Sequence, residues 1–282
     1  KTLVKHLVNP KKIQTFYKSK TNGGNMKELK PEQIQENWNK LRELITNTFE
    51  GERLEKLNKM YDYFEDRMCL APASGKEHFH NAHVGGYVEH VLHVTDCAVQ
   101  LKKLWEDNNA TINFSDEELI FAAIHHDLGK VGDLENDYYI PQESEWHRKN
   151  QGSIYTHNPV LQYMTVTDRA IFLLNHFGIN MSEREYVGLR LTDGLYEEGN
   201  KSYYMSYNKD FSLKSNIAYI LHQADMMATH IEGDEWKRGE EQEEIKVQGN
   251  VENIKKAVTM KETSEELSQK SKDLFNELFG DK

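Results

Sequence analysis

Apolar residues in this chain recur at three- and four-residue steps over long stretches, and alternating patterns are scarce. From Pro31 onward, Ile34, Trp38, Leu41, Leu44, Ile45 and Phe49 trace one such face, and Leu54, Leu57, Met60, Tyr61 and Phe64 trace a second. That period suits helices and not strands, whose side chains alternate every two residues. The expected fold class is therefore all-α, a helical bundle. Pro72-Ala73-Ser74-Gly75 breaks the pattern. A helix is expected after Gly85-Gly86, running to about Trp105 with Val88, Val91, Leu92, Thr95, Ala98, Leu101 and Leu104 facing a core. Ser115-Asp116-Glu117-Glu118 reads as a capping-box start for a helix that carries Leu119 to Leu128 and stops near Gly129 to Gly132. Arg169 to Phe177 and Asn216 to Ile231 read as further buried helices. The stretch Asp193 to Phe211 mixes Gly, Asn and Ser with Tyr196, Tyr203, Tyr204 and Tyr207, and reads as a long loop or short hairpin.

The two ends differ from this body. Residues 1–30 hold eight lysines against Glu28 alone and include the breaker cluster Thr21-Asn22-Gly23-Gly24-Asn25, so they are expected to form a flexible basic arm or linker. The arm carries +7, which leaves −18 of the formal net −11 for the remainder. It reads either as a solvated lysine-rich tail or as a contact for a phosphate backbone, and the acidic body disfavours a broad nucleic-acid-coating surface. A helical domain is expected over 31–235, followed by a charged extension over 236–282. That extension ends in an amphipathic helix with Leu267, Leu274, Phe275, Leu278 and Phe279, suited to docking or to pairing chains into a homo-oligomer. No window approaches eighteen uninterrupted apolar residues, and Lys1 to Lys30 contain no apolar signal core, so neither a membrane span nor a secretory signal is expected. Cys69 and Cys97 are too few for a disulfide framework or a thiolate zinc site, and a cytoplasmic protein with reduced thiols is expected.

Thirteen histidines are present, and all but His6 lie between positions 78 and 230. Clustering alone says little, but His125-His126-Asp127-Leu128-Gly129-Lys130 places imidazoles and a carboxylate on an otherwise apolar helix. An ionised Asp is costly there unless it is paired or binds a cation. On a helix, side chains at 126 and 127 diverge by roughly 100°, enough to straddle one ion. Lys130, three residues on, returns to the face of Asp127 as a cation suited to a phosphate oxygen or a leaving group.

With these residues the chain resembles the HD-domain metal-dependent phosphohydrolases, whose signature is H…HD…D. Gly85-Gly86-Tyr87-Val88-Glu89-His90 is similar to the segment with the first histidine. His126-Asp127 with Gly129-Lys130 is similar to HD-x-G-K, and His222-Gln223-Ala224-Asp225 to the closing helix. The resemblance implies that His90, His126, Asp127 and Asp225 bind a first metal. It also suggests that His157 and His176 are the extra pair of two-metal members, with a buried histidine bonded to a backbone partner as the alternative reading of each. Many such members have two histidines before the glycine that follows; here the second position is Phe177. Gly86 stands where some three-metal relatives carry a glutamate, so no third metal is expected. Ala71-Pro72-Ala73-Ser74 with His80-Asn81-Ala82-His83-Val84-Gly85-Gly86 is closest to the HD domain of YhaM-type 3′→5′ exoribonucleases. The β-barrel those enzymes carry has no counterpart in the pattern here.

The resemblance implies a phosphohydrolase with one or two divalent transition metals (Mn, Fe, Co or Ni) and catalytic roles for Asp127 and Lys130. The implied substrate is a small nucleotide or a nucleic-acid 3′ end, with His80, His83, Lys130 and Tyr196 as candidate contacts. Lys76, Arg148, Lys149 and Arg190 read as phosphate contacts or as ordinary surface charge. His93, His125 and His222 read as supporting residues of the bundle, and His78 stays open. Two alternatives share the scaffold: an HD-fold mixed-valent di-iron oxygenase using His90, His126, Asp127, His157, His176 and Asp225, and a non-catalytic interaction protein with a structural metal.

Overall fold

The computed structural model describes residues 29–206 and 208–239. The basic arm up to residue 28, Tyr207 and the amphipathic C-terminal helix lie outside the described residues. The chain divides into two units, Lys1–Asp234 and Glu235–Lys282. Among its described residues the first unit is all-α apart from one small antiparallel pair of strands. Its elements are α1 (Pro31–Thr48), α2 (Gly51–Leu70), α3 (Gly86–Asp107), α4 (Asp116–His125), a 3-10 turn (Leu128–Val131), β1 (Tyr139–Pro141), α5 (Glu145–Gln151), β2 (Tyr155–His157), α6 (Val166–His176) and α7 (Glu183–Arg190). A run of short helical turns leads from 194 to 211 and includes α8 (Lys201–Tyr204). The last described helix, α9, covers 217–239. No helix among the described residues is long and apolar enough to cross a membrane.

Local chemistry explains several of these boundaries. Pro31 opens α1, where a missing N–H costs nothing, and the Gln33 side chain accepts from the Lys30 N–H. Ser115 and Glu118 form the capping box at the start of α4. Ser182 and Glu185 repeat the device on α7.

Helix α4 is the centre of the fold. After its acidic first turn, its sequence from Leu119 to Ile124 is apolar all round, which suits a segment packed on both sides. One side (Phe121, Ile124) joins α1, α2, the first half of α3 and α6 in a large core. The opposite side (Leu119, Ala122, Ala123) packs on Val94, Cys97 and Ala98 of α3 and on Ile217, Ile220, Leu221, Ala224 and Ala228 of α9. Cys69 and Cys97 are both free and buried. Small residues on α4 and α9 let these helices pack closely, which draws His126 at the end of α4 toward Asp225 within α9.

The structure departs from the sequence reading in three places. Helix α4 ends at His125 rather than Leu128, and the chain tightens into the 3-10 turn with Asp127 at φ −104°, ψ 11°. Leu104 is half exposed because the face α3 presents to its neighbours runs through Leu101 and Trp105. The 193–211 stretch forms short helical turns rather than a hairpin; the only strands among the described residues pair β1 with β2, antiparallel.

Gly129 lies so close to the start of α6 that a Cβ there would sit 2.0 Å from the carbonyl oxygen of Val166. Backbone cannot yield as a flexible side chain can. Gly129→Ala is therefore expected to cost about 2–3 kcal/mol and to lower the melting temperature by several degrees. An unchanged melting temperature in a thermal scan would show that this approach is not a constraint.

Candidate metal centre

Four elements deliver side chains to one buried point. His90 projects from the second turn of α3, His126 from the C-terminal end of α4, Asp127 from the start of the 3-10 turn, and Asp225 from α9. His90, His126 and Asp127 are buried, and Asp225 is mostly so. His90 Nε2 lies 3.4 Å from His126 Nε2, 3.3 Å from Asp225 Oδ1 and 3.7 Å from Asp127 Oδ2. His126 Nε2 lies 3.5 Å from Asp127 Oδ2 and 3.8 Å from Asp225 Oδ1. Neighbouring donors around a first-row ion, bound at roughly 2.1–2.2 Å, stand roughly 3.0–3.6 Å apart. The observed spacings match that within a few tenths of an ångström.

The imidazoles are oriented for ligation. The Nδ1–H of His126 donates to the carbonyl of Ala123 at 2.7 Å, which leaves the Nε2 lone pair aimed at the cluster. The Nδ1–H of His90 donates to the Glu232 carboxylate at 3.0 Å, which turns Nε2 to the cluster, where it carries a proton toward Asp225 that a bound ion would displace. Glu232 also takes His93 Nδ1 at 2.8 Å, so one buried carboxylate anchors two rings of α3 from α9. A carboxylate behind a ligating histidine fixes the tautomer and strengthens the donor.

The electrostatics favour a cation. Burial would raise the Asp127 carboxyl, but the Lys130 ammonium and the rings of His126 and His90 outweigh it and hold it below its ordinary value. Asp225 behaves alike: burial opposes ionisation, while the hydrogen bond from His90 and the charges of His126 and Lys130 favour it strongly. Burial disfavours charge on His90, yet its bonds to Asp225 and Glu232 push it up to about 10. Glu232, despite burial, is held down to about 2 by His90 and His93. Lys130 Nζ lies 2.5 Å from Asp127 Oδ2, and that carboxylate keeps the buried ammonium charged against desolvation. A site in which carboxylates stay ionised and an imidazole gains a proton is a site that attracts positive charge. Donor type, spacing and charge together fit a divalent ion, and His90, His126, Asp127 and Asp225 are the residues that could hold it.

Of the other sequence candidates, His80 stands at the centre's edge. Its ring centroid is 4.5 Å from that of His90, and burial, with the charges of His90 and Lys130, lowers it to about 3. His83 is buried, with Nδ1 at the Val84 carbonyl and Nε2 3.3 Å from Glu89, so it belongs to the packing of α3 and not to an open mouth. Tyr196 stands in solvent, its ring 6.0 Å from His222. His157 is exposed on β2 against Tyr138, and His176 is exposed at the end of α6 between Phe172 and Phe177. The structure brings neither to the donor set, and among the described residues no second set forms around them. They are not the buried, backbone-paired histidines of the other reading either. His222 donates to the Thr192 carbonyl and His125 to that of Phe121, both as supports.

Two residues escaped the sequence reading. Glu232 sits in a stretch rich in charge; its signal was the seven-residue step from Asp225, two helical turns along one face. Asp193 is fixed by Thr167 Oγ1 at 3.2 Å, and burial together with Asp127 and Asp225 raises it. Its turn is secured by His222 on the Thr192 carbonyl, Asn200 on the Gly194 carbonyl and Tyr204 on the Leu191 carbonyl. A lone Asp-Gly in a polar stretch gave no sign of that.

No family model, curated protein or solved structure matches this chain.

Glu232→Gln keeps the shape of the carboxylate but loses its charge. It is expected to weaken divalent-ion affinity about 10–100-fold without unfolding the protein, as read by chelator competition. Equal affinity in the variant would mean that His90 does not rely on Glu232.

Proposed function

We propose that this chain is a metal-dependent phosphohydrolase that cleaves a phosphoester in a small nucleotide or at the 3′ end of a short oligonucleotide. The observation that carries the reading is the pairing of a buried donor set of two imidazoles and two carboxylates with a lysine ammonium against one of those carboxylates. A site that only braced the bundle gains little from a cation at that place. The resemblance to HD-domain enzymes supports the same reading. Mixed imidazole and carboxylate donors suit Mn, Fe, Co or Ni better than Mg, and the set brought together accommodates one ion per chain. When bound, such an ion supplies Lewis acidity and an acidified water.

The chain's own residues have distinct tasks. His90 and His126, their Nδ1 atoms committed elsewhere, would offer Nε2 to the ion, His90 giving up the proton it shares with Asp225. Asp127 and Asp225 offer ionised carboxylates. Lys130 places a fixed charge where phosphoryl oxygens would collect negative charge in the transition state. The acidic body, at −18 beyond the arm, favours a small anion held at the centre over a long polymer lying on the surface. The di-iron oxygenase reading draws on His157 and His176, and their exposed placement lends it no support.

The test is phosphate release in anaerobic buffer with added Mn²⁺ over a panel of nucleotides and short oligonucleotides. Release is expected, and the double variant His126→Ala, Asp127→Ala should abolish it while remaining helical. Lys130→Met should lower kcat by roughly 10²–10³-fold with ion content retained. Oxygen consumption without phosphate release would instead point to an oxygenase. Bound ion with no turnover on any substrate would point to a structural site.

A further inference from the structure

We infer that His80 is a fifth protein ligand of the same ion, giving a centre of three imidazoles and two carboxylates with a single octahedral position open to water or substrate. The inference rests on the metal-centre reading above and extends it. A donor nitrogen of His80 lies within 4.8 Å of donor atoms on both His90 and Asp127. In an octahedron with bonds of roughly 2.1–2.2 Å, adjacent donors are roughly 3 Å apart and opposite ones roughly 4.3 Å. His80 thus stands within coordination span of two of the four donors, His90 and Asp127, and a movement of its ring toward His126 and Asp225 would complete the sphere.

The ring nitrogen itself asks for a partner. His80 Nε2 is buried and makes no hydrogen bond, a condition that costs about 1–3 kcal/mol unless something satisfies it. His83 Nε2, three residues on, is buried without a hydrogen bond as well, but it has the Glu89 carboxylate 3.3 Å away, whereas the donors nearest His80 are those of the metal centre. The loop also holds His80 firmly in place. Asn81, directly after it, adopts a left-handed conformation at φ 43°. The Asn81 carbonyl accepts from the Ala73 N–H at 3.0 Å and rests on Gly86, where a Cβ would come within 2.1 Å of it. Before His80, the Phe79 N–H bonds to the Lys76 carbonyl and the Glu77 N–H to that of Gly152. A left-handed non-glycine residue and a glycine cleared for close approach are costs in stability, and here they set the position of one ring.

A fifth ligand makes a different statement from a substrate contact, and the two separate cleanly. The experiment titrates the full chain with Co²⁺ against a competing chelator and records the visible absorption of the bound ion. It compares wild type, His80→Phe, His80→Ala and His126→Ala. His80→Phe keeps an aromatic ring stacked on His90 but has no donor, so the loop stays packed if the alanine variant loosens it. Both His80 variants are expected to bind one Co²⁺ per chain roughly tenfold or more weakly, with stronger visible absorption as the coordination number drops. Unchanged affinity and spectrum in the His80 variants, with binding lost in His126→Ala, would overturn the role of His80 alone. A raised KM with unaltered cobalt binding would do the same and assign His80 to substrate. If His126→Ala also binds Co²⁺ like wild type, the metal centre itself is wrong and this inference falls with it.

Discussion

Asp127 and Asp225 keep ionised carboxylates where water is largely excluded, and the surrounding structure serves to offset what that costs. Moving a charged group out of water costs several kcal/mol unless a counter-charge meets it. Lys130 meets Asp127 at 2.5 Å, and His90 meets Asp225 at 3.3 Å. Glu232 then braces His90 from behind and is itself balanced by His93. Removing any one of these groups leaves another buried and uncompensated, so the cluster is built as a unit. Its chemistry and its stability therefore depend on the same contacts.

The fold supports this cluster through α4. Beyond its acidic first turn, α4 is apolar on all sides up to Ile124 and sits between two cores, with His125 to Asp127 as its polar end. That places His126 and Asp127 at the meeting of α3, α4 and α9 and not at the surface. The small side chains Ala122, Ala123, Ala224 and Ala228 allow α4 and α9 to approach, which carries Asp225 within 3.8 Å of His126. The early end of α4 matters as well. The 3-10 turn brings Lys130 back over Asp127, and Gly129 lets that turn pass against α6.

Much of this was legible in the sequence. Helical spacing marked α1 to α4, because periodic apolar faces are set by local geometry alone. His126-Asp127 stood out as a charged pair on an apolar helix, and His90 and Asp225 followed from the resemblance to HD-domain enzymes. His157 and His176 could not be placed, because their positions depend on how the β1–β2 pair and the end of α6 settle on the bundle. Glu232 was hidden among many acids, and only its seven-residue step from Asp225 distinguishes it. Asp193 depends on three side chains gripping backbone carbonyls 13, 6 and 30 residues away, contacts no spacing rule contains. His80 was read as a substrate contact, whereas its unpaired Nε2 is visible only once the loop closes over His90.

The central claim is that the native chain, through His90, His126, Asp127 and Asp225, binds a divalent ion that the unfolded chain does not. The most direct measurement is thermal unfolding of metal-stripped protein across a series of Mn²⁺ concentrations. Linkage requires the stability to rise by about 2.7 kcal/mol when the free ion reaches a hundred times its dissociation constant. A melting temperature that climbs with Mn²⁺ in the native sequence and stays flat in Asp225→Ala is the predicted result. A melting temperature indifferent to Mn²⁺, Fe²⁺, Co²⁺ and Ni²⁺ alike would contradict the account.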